Sequence, residues 1–216
     1  MMYFLVRNTC KLFLTTYMGF RVYGKEKIPK KGAFILASNH VSHLDPPAMS
    51  AASPRRLHFM ARRTLLDNWL FNQVVGRCNL IPVNRDKGDI GAMKAAIRLL
   101  KSGKAIFLFP EGTRSETGEM NEAQPGIGYL SLMTGAPIVP AYVEGTDKAL
   151  PKGAKRIIRT HVSVHIGDLI DPKKLDLPRD KKEAAQKLAD HVAGKIKRMG
   201  ESVSEARSVR LMRTPA

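Results

Sequence analysis

A chain of 216 residues is long enough to bury a full core as one domain, and its apolar (44%) and charged (25%) fractions are those of a globular protein rather than a disordered one. With 36 Lys and Arg against 19 Asp and Glu, the formal net charge is +17, which points to an anionic partner: nucleic acid, an acidic membrane surface or an acidic carrier protein. Cys10 and Cys78 are too few for a disulfide framework and suit neither zinc nor a redox pair, which fits a reducing cytosol.

Tyr3 to Phe20 is rich in Phe, Leu, Met and Val, interrupted by Arg7, Asn8, Lys11 and Thr15. At helical spacing these four fall on one side and leave a broad apolar face. As a membrane span, the segment would carry Lys11 near the bilayer centre, at about 2.5–3.5 kcal/mol for a central charge. Lying in the interface keeps both cations among lipid phosphates. A signal peptide does not fit, because the charges sit inside the apolar run and no small-x-small cleavage site follows. Residues 1–19 are therefore expected to form an amphipathic membrane-interface helix, the other reading being a helix packed on the core.

Phe20 to Tyr23 reads as a short strand, and Ala33 to Ala37 as a strand buried on both faces. Asp45-Pro46 is a helix-start signal. A strand over Leu57 to Ala61 and a helix over Thr64 to Val75 follow; Leu80 to Val83 holds Pro82 and suits an edge strand. Asp89 to Leu100 is a helix stopped by Gly103, Ala105 to Phe109 a second buried strand, Gly128 to Thr134 a short helix, and Pro137 to Val143 a third buried strand. Arg159 to Ile166 alternates as a half-exposed strand does, and Asp180 to Met199 is a charged amphipathic helix. Residues 200–216 form a polar, frayed tail.

Strands alternating with helices give an α/β fold: a single layered domain over 20–199, with a mixed, largely buried sheet flanked by helices. In such sheets the ligand crevice lies outside the carboxyl ends of the strands. Two polar clusters follow buried strands and so can meet at one sheet edge. The first is Asn39-His40-Val41-Ser42-His43-Leu44-Asp45, the second Glu111-Gly112-Thr113-Arg114-Ser115.

In the first cluster, Asp45 can accept a hydrogen bond from one imidazole nitrogen of His40, leaving the other as a base near neutral pH. Asp45 could instead only cap its helix, or His40, His43 and Asp45 could ligate a metal, although no second carboxylate or cysteine cluster supports one. No Gly-x-Ser-x-Gly elbow exists and neither cysteine neighbours a histidine, so direct attack by a substrate hydroxyl is favoured over a covalent intermediate. In the second cluster, Gly112 allows a tight turn, Arg114 can hold a phosphate bidentately, and Glu111 could orient Arg114 or bind a polyol hydroxyl.

These motifs resemble those of the glycerolipid acyltransferases, specifically the 1-acyl-glycerol-3-phosphate (lysophosphatidic acid) acyltransferases. Asn39, His40 and Asp45 match Asn-His-x-x-x-x-Asp, and Phe109 to Ser115 matches Phe-Pro-Glu-Gly-Thr-Arg-Ser in full. Asn79 to Arg85 is similar to Gly-x-Ile-Pro-Val-x-Arg with Asn79 in place of Gly, and Ala136 to Pro140 to the fourth, Pro-containing strand. The resemblance implies that His40 deprotonates the acceptor's hydroxyl with Asp45 as partner. That hydroxyl then attacks the thioester of acyl-CoA or acyl carrier protein. Arg85 and Arg114, with Arg62 of Ala61-Arg62, would hold the acceptor's phosphate, and Glu111, Gly112 and Thr113 would complete the substrate-binding loop. No metal or organic cofactor is expected.

On this resemblance the partners are the thioester donor, a lysophospholipid acceptor and an anionic membrane surface at the cytoplasmic face of a membrane. The apolar helices after the first two motifs could line an acyl-chain groove. A same-superfamily enzyme acting on glycerol-3-phosphate or an amino-lipid would share His40, Asp45 and Arg114. A nucleic-acid-binding module fits poorly, since aromatics are only 6% and lie in apolar runs. A non-catalytic peripheral membrane protein would not need His40.

Overall fold

The computed structural model describes residues 2–67, 69, 72–76, 78–84 and 89–212. Its strands are Arg21–Tyr23 (β1), Phe34–Ser38 (β2), Leu57–Arg62 (β3), Leu80–Val83 (β4), Ala105–Leu108 (β5), Ile138–Glu144 (β6) and Ser163–Ile166 (β7). Among the described residues they form one mixed sheet in the order β1-β7-β6-β2-β5-β3-β4. β6, β2, β5, β3 and β4 run parallel, while β7 pairs antiparallel with β6 and carries β1 alongside it.

The helices are Met2–Met18 (α1), Asp45–Ala52 (α2), Ile90–Lys101 (α3), Gly126–Thr134 (α4), Thr146–Ala149 (α5) and Lys181–Met212 (α6). Because side chains alternate along a strand, β2 faces two cores. Phe34 and Leu36 meet Leu14 and Met18 of α1 and Ala48 and Met49 of α2. Ile35 and Ala37 meet Ala96 and Leu100 of α3, Ile127 and Leu130 of α4, and Leu188 and Val192 of α6. The result is three layers, helices on both faces of a buried sheet, as the apolar runs predict.

On the second face α4 and α6 approach closely. A Cβ on Gly128 would stand 1.9 Å from the Ala185 carbonyl oxygen, so only glycine fits there.

α1 packs through one stripe and leaves another in solvent. Tyr3, Leu14 and Met18 are buried, and the Tyr3 hydroxyl accepts from the Leu57 amide (3.1 Å). Leu5, Leu12, Phe13 and Tyr17 are exposed. The two readings of this segment are therefore compatible, a packed stripe beside an apolar face left in solvent. No helix among the described residues is long and apolar enough to cross a membrane.

The structure departs from expectation in three places. Ser163 of β7 is buried although its strand alternates like a half-exposed one; its hydroxyl donates to Glu144 of β6, which Arg207 of α6 also reaches. Of the α-helix expected over Thr64 to Val75, the described residues form a 3-10 segment at Arg63–Asp67 and a π-helical turn at Asn72–Gly76. α6 does not stop at Met199 but continues to Met212, so most of the expected frayed tail is helical. Asn79 adopts φ +61°, the left-handed conformation usually left to glycine, which explains how it stands in for Gly in its motif.

Candidate active site

β2 and β5 are neighbours, yet the helices that follow them, α2 and α4, pack on opposite faces of the sheet. The chain therefore parts at their carboxyl ends, where α/β sheets form their ligand crevices. His40 leaves β2 at this point and Glu111 to Arg114 leave β5.

Asn39 first pins the end of β2. Its side chain accepts from the Val143 amide at 2.8 Å and donates to the Val143 carbonyl at 3.0 Å. The backbone of His40 is then held on both sides by the β5 loop. Its N–H donates to Glu111 Oε1 at 2.8 Å, and its carbonyl accepts from the Ser115 amide at 2.8 Å. The imidazole lies flat on Phe109, centroids 3.7 Å apart and planes within 8°.

His40 Nδ1 meets Asp45 Oδ2 at 2.8 Å. Asp45 is fully buried, and Oδ2 also accepts from the amides of Val41 (2.7 Å) and Ser42 (2.8 Å), while Oδ1 accepts from the Thr146 hydroxyl (2.5 Å). Two amides and a hydroxyl donate to this carboxylate, which makes it an acceptor toward the ring, and a buried carboxylate needs such partners. His40 Nδ1 therefore carries the proton toward Asp45, which leaves the lone pair on Nε2. The ring is 13% exposed, enough for a substrate to reach one edge.

The carboxylate of Asp45 turns back along the chain and does not cap the first turn of α2, so the capping alternative fails. Its lone pairs are committed to these donors, which also argues against its use as a metal ligand.

Glu111 has a different job from either one its position suggests. Both oxygens are taken by backbone amides, Oε1 by His40 and Oε2 by Asn121 (2.8 Å). Among the described residues it forms no ion pair with Arg114. Burial pushes its pKa up, and the amides of Asn121 and His40 pull the other way. Gly112 turns the loop at φ +68°, with its N–H on the Phe109 carbonyl at 3.0 Å. Thr113 beyond it is exposed and Arg114 half-buried.

The charge of Arg114 reaches His43. Burial chiefly, then Arg114 and His40, hold the His43 pKa below its ordinary value. Arg114 directly precedes Ser115, whose amide holds the His40 carbonyl, so Arg114, His43 and His40 stand near one another. Arg62 is exposed at the carboxyl end of β3, with β5 between it and β2, about 10 Å away across two strand spacings. Arg85 lies outside the described residues.

The residue that sequence reasoning missed is Thr146, 101 positions from Asp45 and fully buried at the start of α5. Nothing in its local sequence signals it. Asn39, Phe109 and Ser115 stand inside the recognised motifs, but their jobs as clamp, stacking platform and backbone donor emerge only in three dimensions.

Residues 19–144 match the family model described as Acyltransferase, more than half of the chain. The chain belongs to the acyltransferase family. This acyltransferase is 30% identical over 161 residues to the 1-acyl-sn-glycerol-3-phosphate acyltransferase of Bacillus subtilis (strain 168), covering 73% of this chain and 80% of that one. It is 27% identical over 210 residues to the protein of the same name from Streptococcus pneumoniae, covering 95% and 75%. The crystal structure of the 1-acyl-sn-glycerophosphate (LPA) acyltransferase from Thermotoga maritima superposes with a TM-score of 0.79 at 27% identity, covering 94% of this chain and 79% of that one. The matched region runs from β1 through β6, so the acyltransferase signature contains both polar clusters and ends two residues before Thr146.

Proposed function

We propose that this acyltransferase moves a fatty acyl group from an acyl thioester, acyl-CoA or acyl carrier protein, to the free hydroxyl of 1-acyl-glycerol-3-phosphate, yielding phosphatidic acid. The observation that carries the proposal is the His40–Asp45 pair, ring flat on Phe109, with its backbone hydrogen-bonded to the loop that bears Arg114. His40 Nε2 takes the proton of the glycerol hydroxyl as the oxygen attacks the thioester carbonyl. Asp45 holds the tautomer and stabilises the imidazolium that forms. The new C–O bond replaces the C–S bond. The thiolate leaves and is protonated by the imidazolium, which returns the base to its starting state without a covalent enzyme intermediate.

Arg114 grips the acceptor's phosphate through paired charged hydrogen bonds, with Arg62 and Arg85 as further cations and Gly112 and Thr113 shaping the loop. Residues 20–199 constitute the catalytic domain in this reading, and α1 lies in the interface of an anionic membrane at its cytoplasmic face. The exposed Leu5, Leu12, Phe13 and Tyr17 support that placement, as does the net charge of +17. Relatives of the same name from Bacillus subtilis and Streptococcus pneumoniae support the acceptor.

The test is a mass-labelled acyl donor, presented as CoA and as carrier-protein thioester, against lysophosphatidic acid, glycerol-3-phosphate and an amino-lipid. Product with lysophosphatidic acid is expected. Product only with another acceptor would reassign the substrate.

A further inference from the structure

Between α5 and β7 the chain runs over the surface. Residues 151–159 are all exposed. Lys152, Lys155, Arg156 and Arg159 place four cations there with no acidic residue among them, and between those cations stand Ile157 (37% exposed) and Ile158 (56%). Two adjacent aliphatic side chains therefore stand in water with cations on both sides of them.

The segment is held in place at several points. The Ile158 amide donates to the Ala149 carbonyl at 2.8 Å, and the Ala154 amide to the Pro151 carbonyl at 3.1 Å. At its start the Ser42 hydroxyl donates to the Leu150 carbonyl at 2.9 Å, and Lys152 pairs with Glu116 of the β5 loop. At its end the Val162 amide reaches the carbonyl of Met18, the last residue of α1. One end therefore abuts the polar cluster that carries His40, and the other abuts the helix with the exposed apolar face.

We propose that residues 151–159 form a second lipid-docking element: the cations take anionic phospholipid headgroups and Ile157 and Ile158 seat among the tops of the acyl chains. The proposal rests on the reading of α1 as an interfacial helix and of the acceptor as a lipid. Apolar tips ringed by cations are what an anionic interface receives. The aliphatic pair set among the cations, together with the backbone junction to the end of α1, favours a bilayer over an acidic protein. With lipid contacts at α1 and at this segment, the mouth around His40 is held against the surface, and a lysolipid reaches the base without leaving the interface.

The test uses the full chain and vesicles of phosphatidylcholine with and without phosphatidylglycerol. Each cation beside an anionic surface changes partitioning about fivefold. Lys155→Glu with Arg156→Glu is therefore expected to weaken binding to the anionic vesicles at least tenfold, and Ile157→Ser with Ile158→Ser to weaken it by a similar factor. Both double variants should retain transfer to a short-chain acceptor dispersed below its micellar concentration. In a Trp69→Phe background, Ile158→Trp should shift its fluorescence to the blue when anionic vesicles are added.

Unchanged partitioning of both double variants, or no blue shift, overturns the proposal. So does a raised KM for an acidic carrier-protein donor with vesicle binding intact, which would make the segment a protein-docking surface. Absence of acyl transfer by the unaltered protein would defeat the functional reading alone, since vesicle partitioning is scored separately.

Discussion

The carboxylate of Glu111 accepts the backbone N–H of His40 at 2.8 Å and, through its other oxygen, the amide of Asn121. The β5 loop thus sets the position of the residue at the end of β2, which ties the two polar clusters together mechanically. Glu111→Gln would turn an NH2 toward one of those amides and leave a buried donor unsatisfied, costing about 1–3 kcal/mol. A misplacement of His40 of about 1 Å lowers turnover by about a hundredfold. Thermal unfolding and kcat measured together should both fall; an unchanged kcat would remove the positioning role.

Thr146→Val tests the far side of the pair. The hydroxyl is fully buried and donates to Asp45 Oδ1, so the variant keeps shape and removes one donor to a buried charge. A stability loss of about 1–3 kcal/mol is expected, with a drop in kcat and little change in acceptor KM. Denaturant unfolding and steady-state kinetics check it.

How much of this was legible in the sequence follows from what each feature depends on. The buried strands β2, β5 and β6 were readable because a strand covered on both faces must be a continuous apolar run, as Phe34 to Ala37 is. The His40–Asp45 pair was readable because both partners lie on one short loop. The burial of Ser163 on β7 was not readable because its partner Glu144, itself paired with Arg207 of α6, comes from elsewhere in the chain and leaves no local pattern. Thr146 was invisible for the same reason. Glu111 was visible as a residue but not as a clamp, since its partners are backbone amides, and backbone amides have no sequence signature.

Arg114→Ala should raise the acceptor KM far more than it lowers kcat, because a phosphate ligand acts mainly in binding. Initial rates over a lysophosphatidic acid series at saturating donor measure it, and an unchanged KM would assign the phosphate to other cations.

Stability should depend on pH through four histidines. His43, His58, His165 and His191 are each pushed below the ordinary value of 6.5, chiefly by burial. A base with a depressed folded pKa stays neutral in the native state while the unfolded chain takes up the proton. The stabilisation is thus fully present above pH 6.5 and is lost as pH falls through the folded values. Denaturant midpoints should decline from about pH 7 toward pH 5, and His165→Gln should flatten the decline.

The most direct measurement is single-turnover acyl transfer from a labelled thioester to lysophosphatidic acid by purified protein, comparing the native chain with His40→Ala. The native chain should form labelled phosphatidic acid, and the variant, still folded by circular dichroism, should be slower by about 10²–10⁴-fold. A folded His40→Ala variant that transfers acyl groups at the native rate would contradict the assignment of His40 as the base.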